Sequence, residues 1–197
     1  MRLILASSNP AKIEELCIIL HAVVAEPLEI IPASNVLGSW YVEESGSTLE
    51  ENAYLKASAV FEQTLLPTIA DDTGLEVDAL GGQPGVRTAR FAGDEATAEE
   101  NNQLLLEKLS GVTNRRAQFR TVICYRDRLR TILTEGVCTG TIADVMRGTC
   151  GFGYDPLFLP DGHTRTFAEM EPHEKHQLSH RRRGLERLAL QLAELWV

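Results

Sequence analysis

An apolar segment that leads directly into two adjacent carboxylates is the feature that most constrains this chain. Residues 68–70 are typical of the end of a buried strand, and Asp71 and Asp72 follow at once. In α/β proteins, ligands bind in the crevice at the carboxyl ends of strands. Because adjacent strand residues point to opposite faces, both carboxylates can enter one pocket only if the backbone turns, and Gly74 would permit a turn. The segment fits either a strand that places its carboxylates in a binding site or a turn whose carboxylates are solvated.

The overall charge narrows the classes of partner. At 197 residues the chain is long enough for one compact domain, and its formal net charge is −9. This charge argues against a protein that binds nucleic acid non-specifically or binds anionic membranes. A polyanionic substrate would need a cation to mediate its binding. No apolar stretch approaches the roughly 20 residues of a membrane span, and the first residues suit a strand better than a signal peptide. We therefore expect a cytoplasmic protein.

The first strand, over residues 2–7, is followed by a polar junction and a predicted helix over residues 11–21. Serine and asparagine cap helices and proline favours the first helical position, so backbone N–H groups, hydroxyls and the Lys12 ammonium would converge on a helix amino terminus, which attracts anions. The junction predicts either a phosphate site or an ordinary cap with a surface lysine. Its candidate binding residues are Ser7, Ser8, Asn9, Ala11 and Lys12.

A Gly/Ser turn precedes the next predicted helix, which runs to about residue 66. Ser47 or Thr48 can cap this helix, with a glutamate completing a capping box. Helical spacing places Lys56 on the face that carries the helix start, although most helix charges are simply solvated. Glu44, which lies in the turn itself, is the better candidate for a metal ligand.

The glycine-rich middle of the chain disfavours a P-loop or Rossmann nucleotide site. A glycine-rich stretch over residues 81–93 lacks both the Walker lysine motif and the G-x-G-x-x-G fingerprint. A helix is predicted over residues 96–109. Strands are predicted over residues 118–125, 129–136 and 137–142, with a tight turn at 126–128, which indicates an antiparallel meander appended to the α/β half.

Two polar clusters lie near the carboxyl end. Residues 151–158 place glycines beside aromatics and a carboxylate, a composition that suits either a loop stacking on a planar ring or an aromatic corner in the core. Residues 175–181 are predicted to open the last helix, whose apolar stripe is Leu185, Leu188, Leu192 and Leu195. A basic helix start opposes the helix dipole, so these donors should have an anionic or carbonyl partner.

Taken together, the motifs resemble the inosine triphosphate pyrophosphatase family, whose members hydrolyse non-standard purine nucleoside triphosphates. The matching segments occur in order over nearly the whole chain: residues 7–12, 44–53, 70–75, 84–90, 152–156 and 179–181. The departures are mild. Thr73 and Thr88 stand where serine is usual, Ser45 where threonine is usual, and Leu49 where phenylalanine is usual. These changes bear on substrate preference more than on activity.

The resemblance implies an α/β fold with a mixed elongated central sheet flanked by helices, in two lobes with the active cleft between them. It implies a single domain over residues 1–197 and a homodimer. The implied activity is a magnesium-dependent cut between the α and β phosphates of inosine, deoxyinosine or xanthosine triphosphate. The products would be the monophosphate and pyrophosphate.

The resemblance also implies residue roles. Asp72 would orient or deprotonate the attacking water and, with Glu44, would hold Mg²⁺. Lys175, His180 and Arg181 would donate hydrogen bonds to the carbonyl at purine position 6. Phe152 would stack on the ring, and residues 153–155 would reach its edge. The full predicted substrate-binding set is Ser7, Ser8, Asn9, Ala11, Lys12, Lys56, Thr73, Phe152, Gly153, Tyr154, Asp155, Lys175, His180 and Arg181.

Three alternatives stay open at this point. A haloacid-dehalogenase-type phosphatase needs Asp-x-Asp, whereas the two acids here are adjacent. The septum-protein-like pyrophosphatases share a similar first loop, and would prefer uridine, thymidine or modified nucleotides to inosine triphosphate. A non-enzymatic nucleotide-binding module would bind inosine triphosphate without releasing pyrophosphate.

Overall fold

The computed structural model describes residues 2–24 and 27–193. Its contacts divide the chain into two compact units. The first unit contains the residues up to Asp72, Thr121–Gly136 and the residues from Arg181 onward; the second contains Thr73–Arg120 and Val137–His180. The single domain over residues 1–197 stays a prediction, as does a cleft between lobes. None of the helices in the described ranges is both long and apolar enough to cross a membrane.

Strands and helices alternate in the amino-terminal part of the chain, and longer strands dominate its middle. The strands are β1 (Arg2–Leu5), β2 (Glu29–Pro32), β3 (Thr68–Val77), β4 (Pro84–Gly85), β5 (Arg116–Arg126), β6 (Thr131–Ile142) and β7 (Phe158–Pro160). The helices are α1 (Pro10–Val23), α2 (Ala33–Leu37), α3 (Leu49–Thr64), α4 (Ala98–Lys108), α5 (Pro172–Leu178) and α6 (His180–Ala193).

The seven strands form one sheet in the order β2-β1-β3-β5-β6-β7, with β4 paired to β3. β1 pairs in parallel with β2 and β3, whereas β4 and β7 pair antiparallel with β3 and β6. The sheet is therefore mixed, and the predicted α/β fold with a central sheet and flanking helices is confirmed.

Each unit has its own apolar core. In the first unit, β1 packs against α1 and α6, because the apolar side chains of each helix recur on one face. Leu185, Leu188 and Leu192 of the predicted stripe are buried there, and Leu195 lies outside the described residues. The core of the second unit contains an aromatic cluster, in which the Phe119 ring lies 4.7 Å from that of Phe158.

The strand that carries the two acids does not end at residue 70, as the sequence predicted. β3 continues through both carboxylates to Val77. Gly74 makes no turn: a Cβ added there would lie 2.8 Å from the carbonyl oxygen of Gly85, so the missing side chain lets β4 pair closely with β3. The buried acids are tolerated because cations distant in sequence compensate them, as described below.

Other boundaries also differ from the predictions. The strands predicted over residues 129–136 and 137–142 are one strand, β6, because Gly136 continues the alternation of buried and exposed side chains. A short helix, α2, precedes the turn that leads into α3. Ser179 has extended backbone (φ −67°, ψ 148°) between α5 and α6, so the last helix begins at His180. Lys175 therefore lies in the last turn of α5, where the helix dipole favours a cation.

Candidate active site

The junction after β1 forms a capped helix start beside the acidic strand. β1 and β3 are in register at Leu5 and Ile69, which brings the residues after β1 next to the acids. The Asn9 Oδ1 accepts hydrogen bonds from the backbone N–H groups of Ala11 and Lys12, at 3.0 and 3.3 Å. The cap is thus real, and the lysine is not on the surface: its side chain is 19% exposed.

The remaining residues of this junction are placed as follows. Ser7 is buried, and its Oγ accepts a hydrogen bond from the Asn9 N–H at 3.3 Å. Ser8 is exposed. The junction therefore presents a hydroxyl, a helix amino terminus and a lysine together, which is the chemistry of an anion site.

Asp71 and Asp72 point to opposite sides of β3, as a continuous strand requires. An Asp71 oxygen lies 3.3 Å from the Lys12 Nζ and 3.2 Å from the Arg181 Nε. An Asp72 oxygen lies 2.7 Å from the Lys56 Nζ. Each carboxylate thus has its own cation, and a pair of buried acids can occupy one strand.

The turn before helix α3 brings a second carboxylate to the cation that faces Asp72. The Lys56 Nζ also lies 3.1 Å from an Oε1 of Glu44. Asn52 anchors the turn before α3, since its Oδ1 accepts the Gly46 N–H at 2.8 Å, and its Nδ2 lies 3.4 Å from Asp72. Thr48 caps α3 as predicted, accepting the Glu51 N–H at 3.1 Å.

The two carboxylates meet the requirements of a hard cation. Glu44 and Asp72 converge on one positive charge, the Lys56 ammonium, which shows that their oxygens can share a cation. Among the described residues no group of three or more His, Cys, Asp or Glu side chains is arranged for a metal. Mg²⁺ is usually held by one or two carboxylates together with substrate phosphates, so two are sufficient.

The sequence did not single out Glu15, which the structure adds to the charged residues around Asp71 and Asp72. Its Oε2 lies 3.1 Å from an Arg181 nitrogen, and both residues are buried. Glu15 follows Lys12 by three residues on α1, so the two share a helix face, a signal that the sequence contained. Arg181, predicted as a base donor, is here held between Glu15 and Asp71.

The environment shifts the pKa values of the two acids in opposite directions. Burial alone would raise the pKa of Asp71, but the charges of Lys12 and Arg181 hold it far below its usual range. Burial raises the pKa of Asp72 and outweighs the opposing effect of Lys56. Burial also lowers the pKa of Lys12, against the attraction of Asp71. Asp71 is therefore the fixed anion of the cluster, and Asp72 is the better proton acceptor.

The second unit carries a different Lys–Asp pair, surrounded by aromatic rings. The Lys175 Nζ lies 2.7 Å from an Asp155 Oδ2, which also accepts the Phe152 backbone N–H at 2.8 Å. The ammonium lies 4.7 Å from the centroid of the Phe152 ring. Gly151 has φ +77°, and a Cβ there would collide with the Asp155 carboxylate. The loop is thus built around this carboxylate.

Of the two residues before Asp155, Tyr154 belongs to the core and Gly153 to the loop. Tyr154 is 2% exposed and its hydroxyl donates to the Thr88 carbonyl at 3.1 Å, so its ring is an aromatic corner of the core. Contact with a base would have to come from its backbone. Gly153 has a positive φ of 62°, and its carbonyl accepts a hydrogen bond from Asn102, which the sequence did not indicate, at 2.9 Å.

Two further predicted residues belong to the second unit. The His180 ring is buried and stacks on Phe119, with ring centroids 4.8 Å apart. Thr73 is half-buried on β3. The predicted set therefore separates by unit. The first unit holds Ser7, Ser8, Asn9, Ala11, Lys12, Glu44, Lys56, Asp72 and Arg181, and the second holds Thr73, Phe152, Gly153, Tyr154, Asp155, Lys175 and His180.

The chain is similar to known proteins over nearly its full length. The model of the Ham1 family matches residues 3–191. The dITP/XTP pyrophosphatase of Elusimicrobium minutum is 43% identical over 193 residues, which cover 96% of this chain and 98% of that protein. The dITP/XTP pyrophosphatase of Porphyromonas gingivalis is 46% identical over 181 residues, or 91% of each chain.

A solved structure agrees. The structure of a HAM1 protein from Coxiella burnetii matches with a TM-score of 0.88 and 39% identity, covering 98% of this chain and 99% of that chain. These matches include the residues of both units and confirm the resemblance that the motifs indicated. With its motifs, its mixed sheet and its relatives in agreement over almost the full length, the chain belongs to the Ham1 family.

Proposed function

We propose that this protein hydrolyses non-standard purine nucleoside triphosphates, namely inosine, deoxyinosine and xanthosine triphosphate, to the monophosphate and pyrophosphate. Such an activity would cleanse the nucleotide pool. The observation that carries the proposal is the convergence of Glu44 and Asp72 on one cation in the unit that holds the capped amino terminus of α1. The names of the related dITP/XTP pyrophosphatases support the choice of substrate.

Glu44 and Asp72 would hold Mg²⁺, the expected cofactor. When bound, the ion neutralises phosphate charge and polarises the phosphorus centre. Lys12, with Ser7, Ser8, Asn9 and Ala11, binds the phosphates at the start of α1. This arrangement explains how a chain with a net charge of −9 can accept a polyanion.

Asp72 is the catalytic base of the proposed reaction. Its carboxylate accepts a proton from a water molecule, the water oxygen bonds to phosphorus, and the bond to the oxygen that bridges the α and β phosphates breaks. The bonding electrons leave with pyrophosphate.

The second unit would select the base. Lys175 and His180 donate hydrogen bonds to the carbonyl at purine position 6. Phe152 stacks on the ring, and Gly153–Asp155 contact its edge. Thr73, which follows Asp72 in the sequence, is a further substrate-binding residue. Adenine presents a donor at position 6, so these donors oppose it. Arg181 can join them only if it leaves Glu15 or Asp71, to which it is bound here.

We further propose that the protein is a cytoplasmic homodimer that binds neither nucleic acid nor membranes. The negative net charge supports the absence of polyanionic partners. Light scattering coupled to size-exclusion chromatography tests the dimer directly, because a mass equal to that of one chain would contradict it.

The activity is tested by measuring pyrophosphate release from a panel of triphosphates, with and without Mg²⁺. We expect release from the inosine, deoxyinosine and xanthosine forms, and little from adenosine or guanosine triphosphate. Preference for uridine or thymidine triphosphate would favour the septum-protein-like alternative. Binding of inosine triphosphate without pyrophosphate release in Mg²⁺ would identify a binding module and overturn the proposal.

A further inference from the structure

Lys56 occupies the position between the two carboxylates that would hold the metal. Its Nζ lies 2.7 Å from an Asp72 oxygen and 3.1 Å from a Glu44 oxygen. The lysine and aspartate side chains are 9% and 8% exposed, whereas that of Glu44 is 40% exposed. A buried cation thus holds one buried and one partly exposed carboxylate together.

A metal ion and this ammonium would compete for the same two carboxylates. Mg²⁺ binds carboxylate oxygens at about 2.0–2.1 Å. An ion that bridges the two oxygens would add a second positive charge beside the Lys56 nitrogen, and like charges repel strongly where water is largely excluded. This repulsion favours movement of the ammonium when a divalent cation enters.

We propose that Lys56 is an internal substitute for the metal, which holds Glu44 and Asp72 in place in the metal-free protein and is displaced onto the substrate phosphates when metal and nucleotide bind. This inference rests on the proposed function and adds a coupling between the binding of metal and the binding of nucleotide. Metal alone binds weakly because it must displace a well-paired ammonium. Nucleotide phosphates give that ammonium a new partner, so metal and nucleotide bind cooperatively.

The charges around Lys56 support this role. Its nitrogen lies at ion-pair distance from both carboxylates, so the buried Asp72 carboxylate has this cation as its partner. Leaving buried carboxylates without this cation is costly, so displacement without a replacement is unfavourable.

The test measures Mg²⁺ binding to the nucleotide-free protein by calorimetry and thermal unfolding with and without Mg²⁺. For Lys56→Met we expect Mg²⁺ to bind roughly 5- to 150-fold more tightly than to the native protein, the usual range for a coupling between two ligands. We also expect a lower Tm without Mg²⁺ and a larger gain in Tm on adding it. Lys175→Met makes the same change in a buried Lys–Asp pair of the second unit and should leave Mg²⁺ affinity unchanged.

The cooperativity is measured with the α,β-methylene analogue of inosine triphosphate. In the native protein this analogue should strengthen Mg²⁺ binding, and in Lys56→Met the strengthening should be smaller. Lys56→Arg keeps the positive charge and should retain weak Mg²⁺ binding. If Lys56→Met does not fold, Lys56→Gln replaces it in the same comparison, and rescue of its folding by Mg²⁺ is the expected result.

The outcomes separate this inference from the proposed function. Unchanged or weaker Mg²⁺ binding by the neutral Lys56 variants, with weaker binding by Glu44→Gln, would overturn the role of Lys56 and leave the metal site intact. Folding that Mg²⁺ fails to rescue in both neutral variants would also overturn it. Unchanged Mg²⁺ binding by both Glu44→Gln and Asp72→Asn would instead overturn the metal site itself.

Discussion

The two units each contain a buried Lys–Asp pair of the same length, and the pairs differ in what surrounds them. In both pairs the lysine nitrogen lies 2.7 Å from the carboxylate oxygen. The Lys56–Asp72 pair lies beside a second carboxylate, that of Glu44. The Lys175–Asp155 pair lies beside the Phe152 ring and accepts a backbone N–H.

In the proposed function, the neighbours of each ion pair, and not the pair itself, determine the chemistry of each site. Two carboxylates around one cation can exchange that cation for a metal ion, which suits phosphate hydrolysis. A cation beside an aromatic face, with its carboxylate fixed by a loop, suits recognition of a planar ring. The following variants distinguish the two proposed roles.

The largest effect is expected from Asp72→Asn. The amide keeps the shape of the side chain but loses the charge needed for metal and water, so kcat should fall by at least the roughly 10²–10⁴-fold typical of removing a general base. Steady-state pyrophosphate release by the purified, folded variant measures this. More than about a tenth of native kcat would remove Asp72 from the chemistry.

Arg181→Ala should mainly affect stability. It leaves Glu15 and Asp71 buried without their shared cation, so the free energy of unfolding should fall by about 3–5 kcal/mol. Urea denaturation measures the change, with Arg165→Ala in the exposed pair with Glu174 as a control expected to change little. Native-like stability together with lost selectivity would instead place Arg181 in the base site, as the motifs implied.

Glu44→Gln should weaken the metal site without abolishing it. Loss of one of two charged ligands should raise the Mg²⁺ concentration for half-maximal activity by about tenfold or more. High Mg²⁺ should then restore part of the activity by mass action. A Mg²⁺ titration that does not shift would move the ligand elsewhere in the chain.

Lys12→Ala tests the phosphate contact and should have a smaller effect. Because this lysine would contact the substrate in the ground state as well as the transition state, we expect KM to rise by about tenfold, at least as clearly as kcat falls. An unchanged KM would leave Lys12 as a partner of Asp71 alone.

The motifs of the sequence were sufficient for the family, and the resemblance implied the mixed sheet. Local patterns also indicated most of the residues around Asp72. Helix spacing placed Lys56, and the turn before α3 placed Glu44. The sequence failed where a distant partner decides the structure. β3 continues through two acids because Lys12, Lys56 and Arg181, which are remote along the chain, compensate their charges.

The same reason applies to Arg181 and Lys175. The basic helix start predicted an anionic or carbonyl partner for Arg181, but the sequence did not indicate that Glu15 and Asp71, on two other elements, are its partners. The base-site role of Arg181, which the resemblance implied, stays a prediction. Lys175 was placed at the wrong helix end because the extended backbone of Ser179 depends on packing that no local pattern indicates.

The most direct test of separate roles is the ratio of kcat/KM for inosine triphosphate to that for adenosine triphosphate in Asp72→Asn and Lys175→Met. We predict that Asp72→Asn lowers both values by a similar factor and leaves the ratio unchanged. Lys175→Met should lower the ratio by roughly 5- to 150-fold, since one lost or unmatched hydrogen bond is worth about 1–3 kcal/mol. Equal losses on both substrates in Lys175→Met, or a changed ratio in Asp72→Asn, would contradict the division between phosphate chemistry and base choice.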